Sequence, residues 1–226
     1  MAWELVETAE VPEGVLELYR KDDVFMIRAN GLELMNGLGH QSEIAFGVMA
    51  AKVSGKPSPN ILLGGLGLGY TLAAAVRDLG QSGHITVAEL SPAVISWFDR
   101  YVAASVLPQR PPNVSIVASD IGDMARSETG RRYDVIALDV DNGPEALVSP
   151  KNAQLYDSAG LRALAGRLEP GGVILLWSGF ESPAFVAMAE KEGFSVSCTA
   201  LASVGRADLL HYAYSLRRAQ GISTGN

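Results

Sequence analysis

Hydrophobic and polar positions divide the chain into two parts. Residues 1–55 hold short β-like runs at 15–19, 24–28 and 32–35, and Asn30-Gly31 between the last two is a hairpin-turn signal. A helical pattern covers 40–53, with Ile44, Val48 and Ala51 predicted on its apolar face. The pattern therefore predicts a short N-terminal segment of β-hairpin and helix.

From residue 56 to about residue 220, strand and helix patterns alternate. Short apolar runs predict buried strands at 61–63, 85–88, 114–117, 133–138 and 173–177, and helical patterns occur at 70–79, after Ser91-Pro92, and at 120–127, 152–168 and 182–192. Repeated βα units give a mainly parallel sheet with right-handed crossovers. Two last strands, 194–199 and 209–216, have no helix between them and predict an antiparallel edge hairpin.

These elements predict an α/β fold. We expect a Rossmann-like, mainly parallel seven-stranded sheet with helices on both faces, preceded by the short N-terminal β-segment. The sheet forms one domain over 56–220, and 221–226 form a flexible tail.

The turns that follow the strands should carry the function, because ligands of open α/β sheets bind at the carboxyl ends of strands. The first turn brings the backbone close to a ligand at a helix N-terminus, and its glycines are Gly64, Gly65, Gly67 and Gly69. Glu89 ends the next strand about 20 residues later, where an acid can accept hydrogen bonds from both ribose hydroxyls. Asp120 follows the third strand and could accept from the adenine amine, cap the next helix, or do both.

Asp139 and Asp141 follow the fourth strand, ahead of a Gly-Pro turn. Buried acids are costly unless they are paired or used. Here they could hold a cation, accept a proton from an attacking amine, or cap the turn by Asx-type bonds. A sulfonium cofactor carries its own leaving group, so this chemistry needs alignment and a deprotonated nucleophile but no metal. No His/Cys/Asp spacing resembles a metal site.

Composition narrows the choice of partners. The formal net charge is -7 and the pI is about 5.0, which disfavours nucleic acid. No window approaches a membrane span, and the first residues do not resemble a signal peptide. The single cysteine, Cys198, fits a reducing compartment. We expect a cytoplasmic protein with small-molecule partners, without nucleic acid or membrane.

Several runs resemble one known family: ILLGGLGLGYTL, VAEL, SD, YDVIALDVDNGP, NAQLYDSAGL and LEPGGVILLW. They are similar to the spermidine synthase-like branch of the class I S-adenosylmethionine-dependent methyltransferase superfamily, over nearly the whole chain. The resemblance implies that Glu89 binds ribose, that Asp120 binds adenine and that Asp139, with Asp141 beside it, serves catalysis as the base. The cofactor implied is S-adenosylmethionine or its decarboxylated form.

The segment GLELMNGLGHQSE resembles the family's N-terminal approach to the active site. It implies that His40, Gln41 and Glu43 bind substrate, together with Tyr156 at the start of the helix after the fourth strand. The acceptor implied is a small amine such as a polyamine. Because the family's N-terminal β-segment often mediates pairing, a homodimer is also an expectation.

Two departures from the family keep the reaction open. Spermidine synthases carry an acid in the first turn, where this chain has Gly67. Their fourth-strand acids are three positions apart and followed by proline, whereas Asp139 and Asp141 are two apart. Methyl transfer and aminopropyl transfer therefore stand as alternatives. A non-catalytic nucleoside-binding protein and, more weakly, a nicotinamide oxidoreductase stand beside them, although the GxGxG turn lacks the wider last gap of the dinucleotide fingerprint.

Overall fold

The computed structural model describes residues 2–127, 130–140, 142–144, 152–203 and 206–218. Asp141 and the predicted tail at 221–226 lie outside these residues. Among the helices of the described ranges, none has the length and apolar character needed to cross a bilayer.

The N-terminal part is an antiparallel sheet whose strands follow chain order: β1 (Glu4–Val11), β2 (Gly14–Lys21), β3 (Val24–Ala29) and β4 (Leu32–Asn36). The predicted turn between β3 and β4 is confirmed, since Asn30 and Gly31 have φ of 51° and 78°, as a two-residue hairpin requires. Sequence reasoning missed β1, because its acid-rich sequence is partly or fully exposed and shows little apolar alternation.

The second sheet contains β5 (Asn60–Gly64), β6 (His84–Glu89), β7 (Val114–Ala118), β8 (Tyr133–Leu138), β9 (Leu168–Ser178), β10 (Phe194–Ser203) and β11 (Arg206–Arg218). Their order across the sheet is β10-β11-β9-β8-β5-β6-β7. Strands β5 to β9 pair in parallel, and β11 pairs antiparallel with both β9 and β10. The predicted mainly parallel seven-stranded sheet and its antiparallel edge hairpin are therefore confirmed.

The helices are α1 (Gln41–Lys52), α2 (Tyr70–Leu79), α3 (Pro92–Trp97), α4 (Ala103–Val106), α5 (Ile121–Arg126), α6 (Ala153–Tyr156), α7 (Ser158–Gly166) and α8 (Pro183–Lys191), and a π-helical turn over Phe98–Val102 joins α3 to α4. The prediction of one long helix at 152–168 is wrong. Asp157 divides it, because its carboxylate accepts from the N–H of Gly160 at 2.7 Å and caps α7.

The apolar face predicted for α1 is also wrong in part. Ile44 and Val48 are only half-buried, whereas the buried face includes Phe46 and the polar pair Ser42 and Glu43. Hydrophobic periodicity cannot find a buried face on which polar residues take part. The consequence for function is that Glu43 points into the protein.

Alternate residues of the central strands enter two apolar layers. Leu63 and Val135 pack on the side of α1, α2 and the N-terminal sheet, and Leu62 and Ile136 pack on the side of α5, α7 and α8. This arrangement is typical of parallel strands buried on both faces. It fixes the carboxyl ends of β5, β6 and β8 as a rigid floor.

Candidate active site

A cavity of about 570 Å³ lies between the N-terminal sheet and the carboxyl ends of the parallel strands. Its volume is in the range that holds a small ligand. Its lining is mainly apolar, and every ionisable side chain among the described lining residues is a carboxylate: Glu13, Glu43, Glu89, Asp120 and Asp139. No lysine, arginine or histidine occurs among those described residues. The cavity therefore suits a cationic ligand with apolar parts.

The glycine turn between β5 and α2 forms part of the floor. Gly65 has φ +88°, and a Cβ there would lie 2.0 Å from the carbonyl oxygen of Asp139, so only glycine permits this approach. Gly67 has φ +51°, and a Cβ there would lie 2.6 Å from Sδ of Met35. Gly65 and Gly67 line the cavity, whereas Gly64 at the end of β5 and Gly69 before α2 do not.

Glu89, the last residue of β6, is 9% exposed and lines the cavity. Its two carboxylate oxygens accept from the backbone N–H groups of Leu66 and Ser91, each at 2.9 Å. Burial raises the pKa of Glu89, and backbone hydrogen bonds oppose that shift. Backbone groups of the glycine turn and of the segment before α3 thus hold the carboxylate in place.

Asp120 lines the same cavity beyond the end of β7. Its Oδ1 accepts from the N–H of Gly122 at 2.6 Å and of Asp123 at 3.4 Å. Asp120 therefore caps α5, one of the two roles that its position predicts. The second oxygen, Oδ2, is not used by this cap.

Asp139 follows β8, and its backbone N–H donates to the carbonyl of Gly64 at 2.9 Å. Its Oδ2 accepts from the hydroxyl of Thr71 at 2.6 Å. Burial raises the pKa of Asp139 to about 7, the negative charge of Glu43 adds to the rise, and the Thr71 hydrogen bond opposes it. A carboxyl group that titrates near neutral pH is suited to accept a proton from an amine and release it again.

Glu43 reaches the cavity from the first turn of α1 and is 8% exposed. Its Oε2 accepts from the Ser42 hydroxyl at 2.5 Å, and Ser42 Oγ lies 2.8 Å from Nδ1 of His211. The ring of His211 lies 4.9 Å from that of Trp177, which lines the cavity. Glu43 and Asp139 thus share the cavity with different hydrogen-bond partners.

The structure does not bring three of the predicted substrate-binding residues to this cavity. His40 stacks on Tyr70 at 3.8 Å and lies in a separate depression, with Nδ1 2.6 Å from the carbonyl oxygen of Gly37. Gln41 is half-buried and is not among the lining residues. Tyr156 is buried in the core, edge-on to Phe185 at 6.5 Å.

Sequence reasoning missed Thr71, Ser42 and His211 as parts of the site. Thr71 and Ser42 are 3% and 1% exposed, and both lie near helix N-termini close to predicted site residues. A polar residue on the buried side of such a helix was the available signal. Among the described residues, no group of His, Cys, Asp and Glu side chains is arranged to hold a metal ion.

The sequence matches no protein-family model and no curated protein at a significant level. Solved structures do match. A spermidine synthase in complex with the transition-state analogue AdoDATO has a TM-score of 0.73 at 15% identity, covering 95% of this chain and 74% of that one. The spermidine synthase of Thermotoga maritima has a TM-score of 0.70 at 17% identity, covering 95% and 73%.

A probable spermidine synthase from Corynebacterium glutamicum matches with a TM-score of 0.66 at 18% identity, covering 98% of this chain and 83% of that one. The matched regions include both the N-terminal sheet and the seven-stranded sheet, because nearly the whole chain is covered. The chain therefore has the class I methyltransferase-like fold in the form that its structural neighbours, the spermidine synthases, share.

Proposed function

We propose that the protein is a transferase that binds an S-adenosyl sulfonium cofactor and transfers an aminopropyl group to a small amine. The observation that carries this proposal is the charge of the cavity: its described ionisable side chains are all carboxylates. A cationic sulfonium and an ammonium acceptor are stabilised there, whereas the phosphates of a nicotinamide cofactor are repelled.

The cofactor's nucleoside fits the residues around the glycine turn. Glu89 would accept from the ribose hydroxyls, and Asp120 would accept from the adenine amine through Oδ2. The turn itself leaves room because Gly65 and Gly67 carry no side chain. When bound, the sulfonium supplies an activated carbon and a neutral thioether leaving group.

Two of the three remaining carboxylates, Glu43 and Asp139, would act on the acceptor. An amine enters as an ammonium ion, and Asp139 takes one of its protons, which frees the nitrogen lone pair. When bound, the sulfonium would supply the carbon of the new C–N bond and leave as a neutral thioether, so the positive charge would pass to the product nitrogen. Asp139 would then return its proton to water. Asp139 is suited to both transfers because its pKa is about 7.

The decarboxylated cofactor fits the charge balance better than S-adenosylmethionine. A cofactor carboxylate would enter a cavity that already holds Glu43, Glu89 and Asp139, with no described cation in its lining. Uncompensated like charges disfavour binding. Aminopropyl transfer is therefore the first candidate reaction.

Methyl transfer is the second candidate, and Gly67 favours it. Spermidine synthases carry an acid at this position of the turn, and here Met35 occupies the space in which a side chain would stand. The amino end of a decarboxylated cofactor would thus lack that contact. Met35 instead presents an apolar surface to the cavity.

The test is product analysis by liquid chromatography and mass spectrometry. The protein is incubated with S-adenosylmethionine or its decarboxylated form and a panel of amines that includes 1,4-diaminobutane. We expect 5′-methylthioadenosine and an aminopropylated amine. S-adenosylhomocysteine with a methylated amine would establish the second candidate, and neither product would contradict both.

Asp139→Asn separates an enzyme from a non-catalytic nucleoside-binding protein. The variant should lose transfer while its cofactor affinity stays within about threefold, since Asp139 acts on the acceptor. Unchanged turnover would show that Asp139 is not the base.

A further inference from the structure

A hydrogen-bonded chain of three side chains links strand β11 to the cavity. His211 on β11 lies 2.8 Å from Ser42 Oγ, and Ser42 donates to Glu43 Oε2 at 2.5 Å. Ser42 is 1% exposed and Glu43 8%. Such a buried polar chain is stable only if its members satisfy one another.

The hydrogen-bond inventory sets the direction of this chain. A serine hydroxyl has one proton, and here Ser42 gives it to Glu43. Ser42 must therefore accept from His211, which places a proton on Nδ1 of the imidazole. Burial lowers the pKa of His211, and the charge of Glu43 opposes this shift. His211 is thus a neutral donor at neutral pH, and it orients Ser42 without cancelling the charge of Glu43.

The groups around Glu43 do not neutralise its negative charge, so that charge can act on a ligand in the cavity. Helix α1 packs against α2, β8 and β10. The titratable groups that interact electrostatically with Glu43 are Tyr70 on α2, Asp139 after β8 and His211 on β11. Other charged groups nearby are engaged elsewhere: Lys52 pairs with Asp78, and Asp134 pairs with Lys56.

Glu43 and Asp139, the two carboxylates proposed to act on the acceptor, therefore differ in their surroundings. Glu43 accepts from a serine that a histidine orients, whereas Asp139 accepts from the Thr71 hydroxyl. Burial and the charge of Glu43 raise the pKa of Asp139 to about 7, so Asp139 can exchange a proton near neutral pH. When two acids share a site, such differences assign them different roles.

We propose that Ser42 and His211 are positioning residues that hold Glu43 as a fixed negative charge for the acceptor's ammonium group, leaving Asp139 to exchange the proton. The inference rests on the proposed function, because it presumes a cationic acceptor. It assigns a function to Ser42 and His211, neither of which lines the cavity.

The test uses variants that separate donation from packing. His211→Phe keeps a ring against Trp177 but removes the donor, and His211→Gln keeps a side-chain N–H. Ser42→Ala removes the middle of the chain. His84→Phe, at the start of β6 and outside the cavity, is the matched control. The full-length protein is labelled with ¹³C at glutamate side-chain carboxyls, and Glu43→Gln is used to assign the Glu43 signal. That signal is followed by NMR as 1,4-diaminobutane is added at pH 8.

We expect 1,4-diaminobutane to shift the Glu43 resonance of wild type and to bind at least about fivefold more weakly to His211→Phe and to Ser42→Ala. Its affinity for His211→Gln and for His84→Phe should stay within about twofold of wild type. Equal affinity for wild type and His211→Phe, or equal weakening in His211→Gln and His211→Phe, would overturn the inference.

An amine that leaves the Glu43 resonance unmoved overturns the docking role. Cofactor binding to wild type is measured separately, so a failure of the proposed function is distinguished from a failure of this inference.

Discussion

Replacing Asp139 with asparagine should stabilise the fold at alkaline pH. In wild type, burial and the charge of Glu43 raise the pKa of Asp139 from 3.8 to about 7. The folded protein therefore holds a proton that the unfolded chain releases between these two pH values. As pH rises through this window, ionising Asp139 costs stability, and the cost is complete above pH 7.

The magnitude follows from the shift. A rise of about three pKa units, at about 1.36 kcal/mol per unit, makes ionised Asp139 unfavourable by about 4 kcal/mol at pH 8. At pH 5, which is about 1.2 units above the unfolded pKa, the linkage relation gives a cost of about 1.6 kcal/mol. Asparagine removes the charge and retains an oxygen that can accept from Thr71. The gain from the substitution should therefore be larger at pH 8 than at pH 5 by about 2.6 kcal/mol.

The assay is urea denaturation of wild type and Asp139→Asn at pH 5 and pH 8, with the free energy of unfolding extrapolated to water. Asp23→Asn, whose side chain is 94% exposed, is the matched control and should show no pH-dependent difference. If Asp139→Asn changes the free energy of unfolding equally at both pH values, Asp139 does not titrate near neutral pH, and the assignment of the base loses its physical ground.

Three further substitutions test other contacts. Thr71→Val removes the hydroxyl that stabilises ionised Asp139, so the acid limb of the pH–rate profile should move to higher pH by about one unit. An acid limb at the wild-type pH contradicts this. Gly67→Ala places a Cβ against Met35 at φ +51° and should lower the free energy of unfolding, measured by urea denaturation, by about 1–3 kcal/mol. The loss should exceed that of Gly171→Ala, a position with positive φ but open space around it, and equal losses refute the contact. Glu89→Gln replaces one carboxylate oxygen with an NH₂ group, which cannot accept from a backbone N–H. Cofactor binding measured by calorimetry should weaken at least about tenfold, and an unchanged affinity excludes Glu89 from the nucleoside site.

The parts of the site that follow strand ends could be predicted from the sequence. Gly65, Glu89, Asp120 and Asp139 each lie within three residues of the end of a short apolar run. Parallel strands bring such positions to one edge of the sheet. The prediction needed only local patterns and one rule of topology. It placed these residues together without knowledge of any contact between them.

The contacts from α1 could not be predicted in this way. On a continuous helix, His40 and Glu43 would share a face, because residues three positions apart lie on the same side. His40 instead precedes α1 with a non-helical backbone (φ -110°, ψ 16°) and stacks on Tyr70, whereas Glu43 enters the cavity. His211 and Ser42 are 169 positions apart. Their contact depends on how β11 inserts between β9 and β10, which no local pattern specifies.

Calorimetric titration of the purified protein with S-adenosylmethionine and, separately, with its decarboxylated form tests the central claim most directly. The acidic cavity predicts binding of the decarboxylated form at least about tenfold tighter than that of S-adenosylmethionine. Tight binding of S-adenosylmethionine alone would replace aminopropyl transfer with methyl transfer. Binding of neither would contradict the account.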